Sequence, residues 1–151
     1  MVQKNGNMFS LVTPLMEAQS SEPTGLGQVG VANGGKAVVA VTADGSLKWQ
    51  FDLDEPVQNC VPLVDNRGYV HFITDKATYY VLTDEGKLYG KKSLGTKSFA
   101  SPVMGPDGRV YIAAQEETKS FVFGLGTGAS GYADSAWPMK GQNPQRTHLQ
   151  R

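Results

Sequence analysis

Leu47, Trp49, Phe51 and Leu53 are apolar, and the residues between and beside them, Ser46, Lys48, Gln50 and Asp52, are polar. A period of two belongs to a β-strand with one buried side; a helix would repeat its apolar positions about every 3.6 residues. Further short strands are expected over 57–64, 69–74 and 78–83. The last of these, Thr78-Tyr79-Tyr80-Val81-Leu82-Thr83, is rich in the aromatic and β-branched residues that suit a pleated surface. Asp65-Asn66-Arg67-Gly68 and Asp84-Glu85-Gly86 interrupt the pattern and read as turns, where short polar side chains bond their own backbone. No stretch combines an amphipathic helical period with a cap, so helix is expected to be scarce.

The same signals recur at a fixed distance. Asp44-Gly45-Ser46-Leu47-Lys48-Trp49 is answered by Glu85-Gly86-Lys87-Leu88-Tyr89-Gly90, with 86 − 45 = 41. Cys60-Val61-Pro62-Leu63 is answered by Ala100-Ser101-Pro102-Val103, and Arg67-Gly68-Tyr69-Val70-His71 by Asp107-Gly108-Arg109-Val110-Tyr111, each 40 residues on (102 − 62 and 108 − 68). Strands of the second unit are expected over 87–94, 99–104, 109–113 and 120–123. A fainter copy, Gly27-Gln28-Val29-Gly30-Val31, lies 41 residues before Gly68-Tyr69-Val70-His71-Phe72 (68 − 27). A period near 40 marks a stacked-repeat architecture, and four short antiparallel strands per period is the signature of a β-propeller blade. A sandwich also has many short strands, but it does not require near-identical turns at a constant offset.

The expected fold is therefore all-β, with propeller-type blades of four antiparallel strands and about three blades, an incomplete ring. Residues 1–26 read as an N-terminal segment with a degenerate blade strand. Residues 27–125 read as blades, and 126–151 as a glycine-rich exit and docking tail.

The blade residues resemble the pyrroloquinoline-quinone-type β-propeller repeat. The resemblance rests on Asp44-Gly45-Ser46-Leu47-Lys48-Trp49-Gln50-Phe51, the strand with Pro62, and Asn66-Arg67-Gly68-Tyr69-Val70-His71-Phe72. The second unit adds Ala100-Ser101-Pro102-Val103 and Asp107-Gly108-Arg109-Val110-Tyr111. Ala133-Asp134-Ser135-Ala136-Trp137-Pro138-Met139, with Asn143-Pro144-Gln145-Arg146-Thr147, resembles a terminal segment of such proteins. The chain departs from the pattern at Tyr89 and Gly90, which stand where the first unit has Lys48 and Trp49. The tryptophan that packs between blades is thus missing from the second unit. The resemblance implies a cell-envelope or secreted setting and a scaffolding role. It does not bring a cofactor with it, because quinoprotein dehydrogenases need a complete ring whose funnel holds the quinone and calcium. No cofactor is expected.

Composition narrows the function classes. Lys+Arg and Asp+Glu number 14 each, so no basic excess is available for a nucleic acid. The 40% apolar content excludes disorder over most of the length. No apolar run approaches the roughly 18 residues of a membrane span, and the start lacks a signal-peptide pattern. Cys60 is the only cysteine and aligns with Ala100, so it reads as a small buried residue rather than a nucleophile.

Candidate chemistry is sparse. Asp44, Asp65, Asp84, Glu85 and Asp107 all fall in expected turns, which accounts for each. His71 alternates with Val70 and Phe72 and aligns with Tyr111, so it is expected to fill an aromatic slot between sheets, and no metal site is expected. Gly126-Thr127-Gly128-Ala129-Ser130-Gly131 spells a dinucleotide fingerprint, yet no helix pattern follows to receive a pyrophosphate, so it reads as a flexible exit from the last strand. Lys87, Lys91, Lys92 and Lys97 read as a solvated face that also protects a sheet edge.

The structural and interaction candidates are Trp49, Tyr79, Tyr80, Trp137 and Met139. Trp137 and Met139 are expected to cover an apolar patch of a neighbouring blade; the alternative is an exposed contact for a partner. The expected function is a non-catalytic binding or scaffolding module, not an enzyme, that docks a protein or glycan. Missing blades also point to a homo-oligomer that completes the propeller. The rival is a fragment or subunit of a quinoprotein-like enzyme with a shared central funnel.

Overall fold

A computed structural model describes residues 2–4, 7–9, 17–18, 28–42 and 44–133, and within them the chain is all-β. The strands are β1 (Val2–Lys4), β2 (Asn7–Phe9), β3 (Glu17–Ala18), β4 (Gln28–Ala32), β5 (Ala37–Val41), β6 (Leu47–Asp52) and β7 (Leu63–Val64). They continue as β8 (Val70–Ile73), β9 (Thr78–Leu82), β10 (Leu88–Ser93), β11 (Val103–Met104), β12 (Arg109–Glu116) and β13 (Lys119–Gly126). The helical content of the described residues is a 3-10 turn over Asn33–Gly35. Beside the β1-β2 pair stand three larger sheets, β3-β4-β5-β6, β7-β8-β9-β10 and β11-β12-β13. All are antiparallel, and each follows chain order.

The sheets are out of step with the expected units by one strand. Residues 47–53 were expected to open a sheet with the three strands that follow them; instead β6 closes the preceding sheet, pairing with β5. Likewise β10 pairs with β9, not with the strands after it. Loop length explains the correction. Only Thr42–Ser46 separates β5 from β6, a tight turn that keeps neighbours hydrogen-bonded. The connection over 53–62 carries Pro56 and Pro62 and crosses to the next sheet. Most of the strand expected over 57–64 is likewise irregular, because its donors go elsewhere: Val57 N–H to the Gly35 carbonyl, Gln58 N–H to Asp75, Val61 N–H to Ser101 Oγ.

The turns within sheets share one geometry. At Thr42–Ser46, Asp65–Tyr69, Thr74–Thr78, Thr83–Lys87 and Gly105–Arg109, the first N–H donates to the fifth carbonyl and the fourth N–H to the first. This is a type I turn closed by a left-handed residue, the common three-residue hairpin loop. The fourth position is glycine in four of them and Ala77, at φ 63°, in the other.

Burial separates the three larger sheets. The central strand β5 is buried at all five positions, and β8 at all four, so both faces of each are covered. Within the second sheet Phe72 stacks on its cross-strand partner Tyr80, with ring centroids 5.2 Å apart, and Phe51 of the first sheet meets Tyr80 edge-on. β12 instead alternates. Val110, Ile112 and Ala114 are buried toward the second sheet, while Tyr111 and Ala113 face outward.

The glycine-rich stretch 126–131, expected as a flexible exit, is pinned across two turns together with the two residues after it. Thr127 Oγ1 donates to the Gly108 carbonyl, Asn66 N–H to the Gly131 carbonyl, and Ala133 N–H to the Val64 carbonyl. A Cβ at Gly108 would collide with the Ala129 carbonyl, so this close approach needs glycine there.

Candidate functional site

Two sheet junctions follow one another along the chain, and the same repeat position governs both. In β6 the register skips Lys48, so that Leu47 pairs with Val41 and Trp49 with Ala40. In β10 it skips Tyr89, so that Leu88 pairs with Leu82 and Gly90 with Val81. Both fourth strands therefore bulge at the same place, and Gly90 occupies the position of Trp49.

At the first junction Trp49 is 8% exposed and its indole lies against the turn over Thr83–Lys87 of the second sheet. Its Nε1–H donates to the Asp84 carbonyl at 2.9 Å. The ring sits so close to Gly86, at φ 78°, that a Cβ there would lie 2.5 Å from Cδ2. Aromatic area and one satisfied N–H thus seal this junction.

At the second junction the described residues supply no indole, and a Cβ built on Gly90 meets nothing within 4 Å. A cleft of about 380 Å³ opens there. Gly90, Lys91 and Lys92 line one side, Gly124 to Thr127 the other, and His71, Tyr79 and Val81 the floor. Arg67 reaches across in place of the missing ring. Its Nη2 donates to the Thr127 carbonyl at 3.1 Å and to Asp65 Oδ2 at 2.7 Å. Thr127 follows Leu125, the partner of Val110, by two residues, as Asp84 follows Leu82, the partner of Val70. The same carbonyl is therefore capped at both junctions, once by an indole and once by a guanidinium. Arg67 also lies 4.4 Å from the Tyr69 ring centroid, and Tyr69 packs on Tyr89 at 5.1 Å.

Behind the cleft runs a buried polar chain. His71 Nε2 is 2.9 Å from Asp65 Oδ2, and His71 Nδ1 is 2.7 Å from the Tyr79 hydroxyl. Asp65 Oδ1 also accepts from the N–H groups of Arg67 and Tyr69, the turn bonding expected of it. Burial pushes the Asp65 carboxyl up, but hydrogen bonds from His71 and Arg67 outweigh this and hold it below the ordinary carboxylate value. The carboxylate therefore accepts from Nε2–H, and in the neutral imidazole Nδ1 accepts the Tyr79 proton. Burial, reinforced by the Asp65 charge and opposed by Arg67, holds the Tyr79 phenol well above its ordinary value. Tyr79 stays protonated at neutral pH and presents oxygen lone pairs rather than a nucleophile.

Of the residues singled out from sequence, Trp49 lies at the first junction and Tyr79 on the floor of the cleft. Tyr80 points to the opposite face of β9, between Phe72 and Phe51, with Lys91 Nζ 5.8 Å from its ring centroid. Adjacent strand positions cannot share a face, so the two tyrosines are separated. Trp137 and Met139 lie outside the described residues. His71 does fill a slot between sheets, stacked with Tyr79 at 6.1 Å. Its bonds to Asp65 and Tyr79, and the reach of Arg67, were missed. The one signal available was a histidine at a core-facing position of an otherwise apolar strand. Among the described residues no group of His, Cys, Asp and Glu could hold a metal ion, and no helix is long and apolar enough to cross a membrane.

No protein-family model matches the chain, and no curated protein matches it in sequence.

Proposed function

We propose that the chain is a non-catalytic binding module of the propeller-repeat type, which docks a protein partner on the third of its larger sheets. Three successive sheets in the same chain order, the shared turn geometry and the paired bulges support propeller-type blades of the kind the repeat resembles.

The observation that carries the docking role is the outer face of β12 and β13. There Val122 is 74% exposed and Tyr111 43%, and Val122 pairs with Ala113 on the same face. Phe99, 68% exposed, borders this face beside Ala113. The strands equivalent to β12, β4 over Val29–Ala32 and β8, have no such free side. Clustered exposed apolar residues of this kind mark an interaction surface. A polypeptide suits it better than a glycan, whose hydroxyls call for polar side chains.

A cell-envelope or secreted setting, and a second copy as the partner, belong to the same proposal. The chemistry of the cleft favours binding over catalysis, since Tyr79 is held protonated and Asp65 is engaged on both oxygens. A photo-crosslinking residue placed at Val122, in the cell that makes the protein, tests the reading. One discrete protein adduct, absent when the crosslinker sits at Glu117, is expected. Equal adducts from both positions, or none from Val122, would overturn it.

A further inference from the structure

We propose that the cleft at Gly90 is a slot for a tryptophan side chain carried on an acidic segment of a partner polypeptide. The inference uses nothing of the outer face of β12 and β13, so it stands or falls apart from the docking role above.

The first junction shows what shape the fold expects there. Trp49 fills the space between its bulged strand and the turn of the next sheet; at the equivalent Gly90 the described residues leave the space open and the backbone carries no side chain to block it. At about 380 Å³ the cleft falls at the small end of the roughly 300–1,000 Å³ typical of ligand sites. Polar groups select the ring. The chain Asp65–His71–Tyr79 directs the Tyr79 proton inward, which leaves phenolic lone pairs for a donor in the cleft. An indole offers one N–H on an otherwise apolar ring and matches a lining of Val81, Leu125 and one acceptor. Phenylalanine has no donor to give, and a carboxylate or phosphate would meet lone pairs.

Charge selects the flanks. Lys92 shares the face of Gly90 by the strand alternation and charges that rim, whereas the Lys91 ammonium lies on the opposite face over Tyr80. Acidic residues on either side of the tryptophan would be drawn to this edge. A partner in trans is favoured over the tail of this chain by where the described residues lead. Ala133 is bonded to Val64 on β7, the opposite edge of the sheet from β10. Three strand spacings, about 14 Å, separate those edges, which takes up the full extended reach of the four residues from Ala133 to Trp137.

Amide shifts in the nitrogen-labelled protein provide the test, with 3-methylindole, toluene and an acetylated Asp-Asp-Trp-Asp-Asp peptide as probes. Saturable shifts at Gly90, Gly124 and Gly126 are expected with 3-methylindole and with the peptide, and weaker ones with toluene. The peptide should bind about tenfold more tightly than 3-methylindole at low salt and lose that advantage in a K92E variant. Gly90→Trp should abolish the shifts while leaving the remaining spectrum dispersed. Silence of those glycines toward every probe at millimolar concentration would overturn the proposal, whatever the fate of Gly90→Trp. So would equal affinity for 3-methylindole and the peptide, which would make the slot a small-molecule site. Binding that emerges only in Trp137→Ala would assign the slot to this chain's own tail and equally overturn a partner.

Discussion

The two junctions on either side of the second larger sheet face the same packing problem and meet it with different forces. Between the first and second sheets an indole is buried, and its contribution comes from apolar area and close contact with Gly86. Between the second and third, a guanidinium spans from Asp65 to Thr127 over an open cleft, and its contribution is a set of charge-assisted hydrogen bonds. A dry, ring-filled junction is insensitive to salt and acid. A polar tether leaves room for a guest and depends on the charge of one buried carboxylate.

Four perturbations separate these modes. Trp49→Ala should cost the most, about 3–5 kcal/mol, since it empties a buried aromatic site and orphans the Asp84 carbonyl. Urea unfolding would measure it, and a loss below about 1 kcal/mol would mean the ring is not the seal it appears in structure. Gly86→Ala comes next, at about 1–3 kcal/mol, because it must hold φ near 78° and push the indole away. Trp49 fluorescence should shift to the red in this variant, as the ring is displaced toward water.

Arg67→Ala is expected to cost about 1–2 kcal/mol, discounted for the partial exposure of the guanidinium. It should also change the acid response. The Asp65 carboxyl titrates near 3.8 in the unfolded chain and lower in the fold. Its stabilising share is therefore complete above that value and lost as pH falls through the folded one. Removing Arg67 raises the folded value, so acid unfolding should begin at higher pH than in the parent. An unchanged acid midpoint would detach Arg67 from Asp65. Gly90→Trp has the smallest effect on stability and the opposite sign, a gain of about 0.5–1.5 kcal/mol seen as a raised Tm. A loss would show that the second junction has closed on a geometry no indole can enter.

The period-two pattern, the turns and the departure at Gly90 were readable because each is local or repeats at a fixed offset. The alternation over 47–53 placed β6 correctly, and the glycine at 90 marked where the cleft opens. The phase of the sheets was not readable, because strand identity does not state which neighbour a strand pairs with; the proline-bearing stretch 53–62 decided it. Asp65, His71 and Tyr79 come together only once β8 and β9 pair and the Asp65 turn folds over them, and no spacing in the chain announces that. Arg67 looked like a turn residue, and its reach to Thr127, 60 positions on, depends on the stacking of whole sheets.

The borrowed fourth strand has a consequence for how such a chain can be cut or lengthened. A piece running from Asp44 to Thr83 would hold one stray ribbon and a sheet lacking its outer member, whereas Asp54 to Leu94 would carry β7 through β10 intact. Insertion of one whole period completes the sheet before it and begins another that waits for its own last strand. Lengthening by duplication thus keeps every existing hydrogen-bond ladder in register, like adding a link to a chain whose links already overlap.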